Sequence, residues 1–198
     1  MCSLLGLKMR IGILGGTFNP VHLGHLILAQ EAAQQLSLDR VIFIPAYLPP
    51  HKGVRAKITP QERHRMVVLA TRNNPRFTVS QLEIDRQGTS YTIDTLIQLR
   101  KILGQEAKLF FLAGSDSLPE LSSWKEPDQL LKLVRFIVVN RPNYPVRKLP
   151  QRVKLLPMAL IDISSSEIRR KVRNGLSIRY LVPETVRRYI KRKRLYCK

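Results

Sequence analysis

Residues 9–36 read MRIGILGGTFNPVHLGHLILAQEAAQQL and contain three successive local patterns. Residues 9–14 are a short apolar run, which predicts a buried strand, and Gly15 and Gly16 end it. Apolar residues then recur three and four positions apart over residues 23–36, which predicts a helix. A strand, a glycine loop and a helix in this order are typical of the first unit of a parallel α/β sheet.

The same alternation of apolar runs and helical periodicity continues along the chain. Further strands are expected at 41–44, 77–80, 109–113, 136–139 and 155–161, and further helices at 60–71, 92–103, 129–134, 164–175 and 183–192. We therefore expect an α/β protein, a Rossmann-like parallel sheet with helices on both faces, and a small C-terminal helical part. In this interpretation residues 1–198 form a single domain, with an α/β core at 9–163 and a basic helical part at 164–198.

The 198 residues include 34 basic and 14 acidic ones, which gives a net charge of +20. Residues 135–198 hold 18 of the basic and 3 of the acidic residues, so most of the excess lies in the last third. This charge indicates an anionic partner, such as nucleic acid, an anionic surface or phosphorylated small molecules. The apolar runs are far shorter than the ~18 residues of a membrane span, and the two cysteines suit neither a disulfide framework nor a metal site. We expect a cytoplasmic protein without a membrane partner.

The loop after the first strand is suited to phosphate binding. Gly15 and Gly16 carry no Cβ, so backbone N–H groups can approach a phosphate closely. His22 and His25 lie three residues apart on one face of the first helical turn, where the helix dipole also favours anions. The loop matches neither the dinucleotide fingerprint nor the Walker A motif. For this motif alone, a glycine-rich turn with two surface histidines is an equally good interpretation.

A second candidate anion site is the segment ISSSEIR at residues 163–169. Ser164 and Glu167 have the spacing of a capping box, which predicts a helix start. Ser165 and Arg169 would add a hydroxyl and a guanidinium group at the positive end of that helix. Alone, the pattern is usually an ordinary helix cap. Both motifs follow predicted strands, and ligands of such sheets bind beyond the carboxyl ends of the strands.

The two motifs together resemble the H-x-G-H and I-S-S-T-x-I-R signatures of the nucleotidyltransferase superfamily. Within it, the chain resembles the bacterial nicotinate mononucleotide adenylyltransferases from Met9 to Tyr196. Other resembling segments are PPHK at 49–52, SYTIDTL at 90–96, GSDSL at 114–118, WK at 124–125, NRP at 140–142 and YLVP at 180–183. Asn19 stands where the family often has Asp, and Ser166 where it usually has Thr.

The resemblance implies the nucleotidyltransferase fold and transfer of the adenylyl group of ATP to nicotinate mononucleotide, in NAD biosynthesis. The mononucleotide phosphate would attack the α-phosphorus directly and release pyrophosphate. The implied catalytic residues are His22, His25 and Arg169. The implied ATP-binding residues are Gly15, Gly16, Thr17, Phe18, His22, His25, Gly114, Asp116, Ile163, Ser164, Ser165 and Arg169.

The resemblance also implies a site for the pyridine mononucleotide. Trp124 would stack on the ring, and Tyr91 and Thr92 would lie beside its carboxylate. Lys52 would meet phosphate or close over the site. Arg141 would reach the mononucleotide phosphate, although a solvated loop arginine is a nearly equal interpretation. Without the resemblance, Trp124 could equally be a core or surface anchor. The implied cofactor is Mg²⁺, held mainly by phosphate oxygens, because the sequence shows no carboxylate cluster that would bind it without nucleotide.

Other functions stay open at this point. An adenylyltransferase that acts on nicotinamide mononucleotide or phosphopantetheine would share the phosphate motifs, and an acid or an amide ring would stack equally well. A nucleic-acid-binding protein would account for the charge, but no helix-turn-helix, zinc spacing or RNA-binding aromatic signature accompanies it. We therefore expect ATP and nicotinate mononucleotide as partners, no specific nucleic acid, and an oligomeric state left open. The basic helix at 183–192 is interpreted as structural.

Residues 1–8 carry neither periodicity nor a motif, and the first predicted strand can begin at Met9. A chain shortened to begin at Met9 is therefore expected to fold, with a melting temperature and an activity close to those of the full chain. Thermal unfolding of both chains checks this. A shortened chain that fails to fold would contradict it.

Overall fold

The computed structural model describes residues 8–50, 58–141, 144–146, 148–159 and 161–197. Strands and helices alternate through most of these ranges. The strands are β1 (Arg10–Gly16), β2 (Arg40–Pro45), β3 (Phe77–Val79), β4 (Lys108–Gly114), β5 (Arg135–Val139) and β6 (Val153–Leu156). The helices are α1 (Leu23–Gln35), α2 (Pro60–Thr71), α3 (Leu82–Arg86), α4 (Thr92–Leu103), α5 (Pro127–Leu133), α6 (Ser165–Arg173) and α7 (Glu184–Arg192).

The six strands form one parallel sheet in the order β3-β2-β1-β4-β5-β6. β1 lies near the centre, with Leu14 opposite Phe43 of β2 and Ile13 opposite Phe111 of β4. The order of the strands therefore reverses between β1 and β4, which leaves a crevice beyond their carboxyl ends. The predicted parallel α/β fold is confirmed, and the loops after β1 and β4 meet at this crevice.

Alternate side chains of each strand point to opposite faces of the sheet, and each face has its own core. On one face Leu14 and Phe43 pack in a cluster with buried residues of α1, α2, α6 and α7. On the other face Ile13, Ile44 and Phe111 pack with buried residues of α4 and α5. Helices on both faces account for the continuous apolar runs of the central strands.

One sequence-based expectation was wrong in detail, and one short helix was not predicted. The last strand was expected at 155–161, but β6 spans Val153–Leu156. It pairs with β5, whose last residue, Val139, lies opposite Leu156, and the following Pro157 has no N–H for the ladder. The short helix α3 was not predicted, because five residues are too few to show a helical period.

The helices α6 and α7 cover the face of the sheet that carries α1 and α2. The side of α7 formed by Val186, Tyr189 and Ile190 is buried in the first core, as expected for a docked helix. Its opposite side is charged, and hydrogen bonds from Arg187 and Arg188 lower the pKa of Glu184 to about 2. The helix is thus fixed to the sheet by apolar contacts and presents its cations to solvent.

No helix within the described ranges combines the length and the apolar character needed to cross a membrane.

Candidate active site

The candidate site begins where β1 ends, in the loop that leads to α1. Phe18 of this loop has a φ of 48°, in the left-handed region, and its ring is buried. That ring lies edge-on to the His25 ring, with centroids 5.0 Å apart. The buried Phe18 ring therefore fixes the loop to the core and packs against His25 in the first turn of α1.

His22 and His25 hold each other at the start of α1. The backbone N–H of His22 donates to Nδ1 of His25 at 3.2 Å, and the N–H of His25 donates to the carbonyl of His22 at 3.0 Å. The two rings lie 3.7 Å apart, centroid to centroid. Because Nδ1 of His25 accepts a hydrogen bond, a neutral His25 ring carries its proton on Nε2. His25 thereby becomes a donor of fixed orientation at the positive end of a helix.

His22 is only 2% exposed, whereas His25 is partly exposed. Burial, and secondarily the positive charge of Arg141, lower the pKa of His22 to about 3, so His22 is neutral at physiological pH. Its Nδ1 is buried and has no hydrogen-bond partner among the described residues. A Cβ at Gly24 would lie 3.1 Å from this atom, so Gly24 makes room for the ring. Of the two histidine rings, that of His25 is the more exposed.

Side chains of the second motif donate hydrogen bonds to the loop that contains the first motif. The hydroxyl of Ser165 donates to the carbonyl of Pro20 at 2.8 Å, and Nη1 of Arg169 donates to the carbonyl of Asn19 at 2.7 Å. Ser164 caps α6 by accepting the N–H of Glu167 at 3.2 Å. Two segments 145 residues apart in sequence thus lie side by side. Their helix starts and one guanidinium group surround the loop after β1.

The end of β4 supplies a third part of the site. Nε of Arg141 and Oδ1 of Asp116 form an ion pair at 3.4 Å. A Cβ at Gly114 would clash with that carboxylate oxygen and would lie 2.7 Å from the same guanidinium nitrogen, so the pair depends on this glycine. The hydroxyl of Ser115 accepts the N–H of Arg141 at 2.8 Å and donates to the carbonyl of Tyr144 at 2.6 Å. Arg141 is held beside Asp116 and close enough to His22 to affect its pKa.

A cavity of about 200 Å³ opens next to the loop after β1. The predicted pyridine-site residues Trp124, Tyr91 and Thr92 line it together, whereas Arg141 is not part of its wall. The remaining predicted residue, Lys52, lies outside the described residues. The other residues of the wall are Ile13, Gly15, Gly16, Thr17, Ile44, Ala46, Pro49, Pro50, Glu83, Ser90, Thr95, Leu96, Phe111, Ser123 and Lys125.

Trp124 is half-buried, with its indole edge-on to Phe111 and to Phe136 at centroid distances of 6.0 Å. The alternative that it anchors the core is therefore partly right, and the same ring also forms a wall of the cavity. Tyr91 is the N-cap of α4 and gives no side-chain hydrogen bond to the first turn. The first turn of this 12-residue helix is the positive end of its dipole, and Thr92 of that turn lines the cavity.

Two buried charged residues near the cavity escaped the sequence analysis. Arg63 of α2 is 3% exposed and donates to the carbonyls of Thr17 and Tyr47 at 2.8 and 3.0 Å. Glu83 of α3 accepts a hydrogen bond from the hydroxyl of Thr95 at 2.6 Å. Burial raises the pKa of Glu83 above its ordinary value, against the lowering effect of hydrogen bonds from Thr95 and Ser90. Neither residue belongs to a recognisable motif, since each acts through long-range contacts.

The sequence matches the family described as cytidylyltransferase-like over residues 13–171. A relative from Thermus thermophilus, named "Probable nicotinate-nucleotide adenylyltransferase", is 46% identical over 189 residues, which cover 95% of this chain and 100% of the relative. A relative of the same name from Thermoanaerobacter sp. is 41% identical and covers 96% of each chain. The fold is also that of the Plasmodium falciparum nicotinic acid mononucleotide adenylyltransferase complexed with NaAD, with a TM-score of 0.80 at 20% identity over 96% of this chain and 98% of that chain.

The buried His22 predicts a specific dependence of stability on pH. The unfolded chain binds a proton on His22 as the pH falls through its ordinary pKa of 6.5, whereas the folded chain does so only near 3. Stability from this group is therefore complete above pH 6.5 and declines as the pH falls toward 3, by up to about 1.4 kcal/mol per pH unit. In melting curves at about pH 7, 5.5 and 4, His22→Asn should lose less stability on acidification than the unsubstituted chain.

The matched control is His64→Asn, because the His64 imidazole of α2 is less buried than that of His22, although burial lowers its pKa as well. This substitution should change the pH slope less. A His22→Asn variant with the pH slope of the unsubstituted chain would show that His22 is not kept neutral by burial.

Proposed function

The chain belongs to the cytidylyltransferase-like family, and we propose that it transfers the adenylyl group of ATP to nicotinate mononucleotide, forming nicotinate adenine dinucleotide and pyrophosphate in NAD biosynthesis. The observation that carries this function is the meeting of two phosphate-binding motifs beside a cavity walled by Trp124. Relatives named as nicotinate-nucleotide adenylyltransferases, alike over nearly the full chain, support the same reaction.

The reaction is a direct displacement at phosphorus. A phosphate oxygen of the mononucleotide forms a bond to the α-phosphorus of ATP, and the bond from that phosphorus to the bridging oxygen breaks, so pyrophosphate leaves. No covalent enzyme intermediate is required. The protein contributes by aligning two anions that repel each other and by stabilising charge on the transferring group.

On the ATP side, Gly15, Gly16, Thr17 and Phe18 offer the backbone over which the adenylyl group lies. His25 donates from Nε2 to an oxygen of the α-phosphate, and the neutral His22 holds His25 in place. The start of α6, with Ile163, Ser164, Ser165 and Arg169, faces the β- and γ-phosphates. Gly114 and Asp116, at the end of β4, are assigned to the ribose hydroxyls.

On the acceptor side, Trp124 stacks on the pyridine ring inside the cavity. The first turn of α4, beginning at Thr92, directs amide groups and the positive end of its dipole at the pyridine substituent. A carboxylate gains more from that dipole than a neutral amide does, which favours the acid mononucleotide over the amide. Arg141, which forms an ion pair with Asp116, is assigned to the mononucleotide phosphate, and the sequence assigns Lys52 to a phosphate contact or to a position over the site.

The cofactor that we propose is Mg²⁺, which would be bound together with ATP. Among the described residues no group of three or more His, Cys, Asp and Glu side chains could hold a cation. In the proposed function the phosphate oxygens would supply most of the Mg²⁺ ligands, as is common in nucleotide sites. When bound, the ion neutralises charge on the leaving pyrophosphate, while the side chains of this protein orient the α-phosphate.

The direct test is incubation with ATP, Mg²⁺ and one acceptor at a time, with pyrophosphate release as the measurement. Nicotinate mononucleotide should react far faster than nicotinamide mononucleotide or phosphopantetheine. Equal or faster release with phosphopantetheine would overturn the assigned acceptor. No release with any acceptor would overturn the reaction itself.

His25→Ala should lower kcat by about 10²–10³, the usual effect of losing one donor to a transition-state oxygen. The loss follows from the orientation of Nε2, which the hydrogen bond at Nδ1 sets. Steady-state kinetics and a melting curve measure the two effects separately, and the melting temperature should change little. His64→Ala on α2 is the matched control and should keep its kcat. Near-normal turnover by His25→Ala would assign His25 to the turn alone.

Trp124→Ala should raise KM for nicotinate mononucleotide with a much smaller effect on KM for ATP. One stacking contact with an aromatic ring is worth about 1–3 kcal/mol. Trp124→Phe retains a stacking face and should recover most of the affinity, which separates stacking from packing. Equal rises in both KM values, together with a lower melting temperature in Trp124→Phe, would favour the core-anchor interpretation.

A further inference from the structure

The segment that follows α7 returns to the loop after β1. Leu195 is buried in the core on the α1 side of the sheet, and Tyr196 packs against that core. The phenol hydroxyl of Tyr196 donates to Oδ1 of Asn19 at 2.7 Å, across 177 positions of sequence. Tyr196 thus contacts the loop after β1 although it belongs to neither phosphate motif.

The backbone bends sharply to make this contact. Arg194 and Tyr196 have φ values of 49° and 66°, in the left-handed region that side chains other than glycine rarely adopt. Such conformations are retained where surrounding contacts compensate for them, and here those contacts are the burial of Leu195 and the hydrogen bond of Tyr196. Burial also raises the pKa of Tyr196 above its ordinary value, so its hydroxyl keeps the proton it donates.

Asn19 is held from two sides. Its backbone carbonyl accepts from Arg169 at 2.7 Å, while its side chain accepts from Tyr196. Its neighbours along the chain are Phe18, whose ring contacts His25, and Pro20, whose carbonyl accepts from Ser165. A rotation of Asn19 would therefore displace several groups that face ATP in the proposed function.

We propose that Tyr196 is a positioning residue for the ATP side of the active site. Its hydroxyl holds Asn19, and through Asn19 it orients the guanidinium group of Arg169 and the loop under His25. The effect of Tyr196 on turnover rests on the proposed function. Its effect on binding of an ATP analogue can be measured whether or not the protein catalyses the proposed reaction. The packing of the basic helix α7 on the sheet then places Tyr196 next to the loop after β1.

The test compares Tyr196→Phe with Tyr189→Phe. Tyr189 is also buried in this core, and its ring stacks with Arg192 in a way that Phe preserves. Loss of one oriented hydrogen bond at Tyr196 should lower kcat/KM for ATP by about three- to tenfold, with little change in KM for the mononucleotide. Calorimetry with a non-hydrolysable ATP analogue should show weaker binding of similar size. Tyr189→Phe should match the unsubstituted chain in both measurements.

A double substitution tests whether Tyr196 acts through Asn19. Asn19→Ala removes the acceptor and keeps the tyrosine ring, so adding Tyr196→Phe to it should cost no further activity. Full additivity of the two losses would overturn the proposal, as would equal analogue binding by Tyr196→Phe and Tyr189→Phe. Failure of the unsubstituted chain to adenylate any acceptor would refute the proposed reaction, whereas the analogue-binding comparison would still decide the role of Tyr196.

Discussion

The candidate active site is held together by hydrogen bonds to the backbone carbonyls of Asn19 and Pro20. Both follow the central strand, and both accept hydrogen bonds from side chains of α6, which lies far along the sequence. Both hydrogen bonds are partly buried, so loss of either donor would leave a partly desolvated carbonyl without its partner and would destabilise this arrangement. These contacts explain why the glycine loop with two histidines and the serine-capped helix are ambiguous as separate sequence motifs, whereas the pair indicates one phosphate-binding site.

Among the described residues, helix ends as well as charged side chains give the candidate site a positive potential. The helices α1, α4 and α6 all begin at the carboxyl edge of the sheet, so their positive ends converge there. His22 contributes no charge because burial keeps it neutral, and it serves instead to stack against His25. In the proposed function, the described residues Arg169 and Arg141 bring positive charge near the phosphates, and their positions are set by the backbone carbonyl of Asn19 and by Asp116.

Alignment of two substrates requires that their loops keep a constant distance. Arg63 joins the carbonyl of Thr17, on the ATP side, to the carbonyl of Tyr47, in the loop that leads to the cavity wall. Such a buried fork fixes both loops at once, which suits a reaction whose rate depends on the approach of one phosphate to another. Glu83 performs a similar structural task beneath the cavity by holding Thr95 of α4.

Local sequence was sufficient wherever neighbouring residues set the structure. The apolar runs located the central strands, and the capping box of Ser164 and Glu167 located the start of α6, because these depend on contacts within a few residues. Tertiary structure decided whatever depended on distant partners. The end of β6 follows from the length of β5, the buried state of His22 from the packing around it, and the contacts of Arg63 and Tyr196 from carbonyl and amide groups of remote loops. Periodicity carries no information about such pairings, since they form only after the sheet has brought its carboxyl ends to one edge.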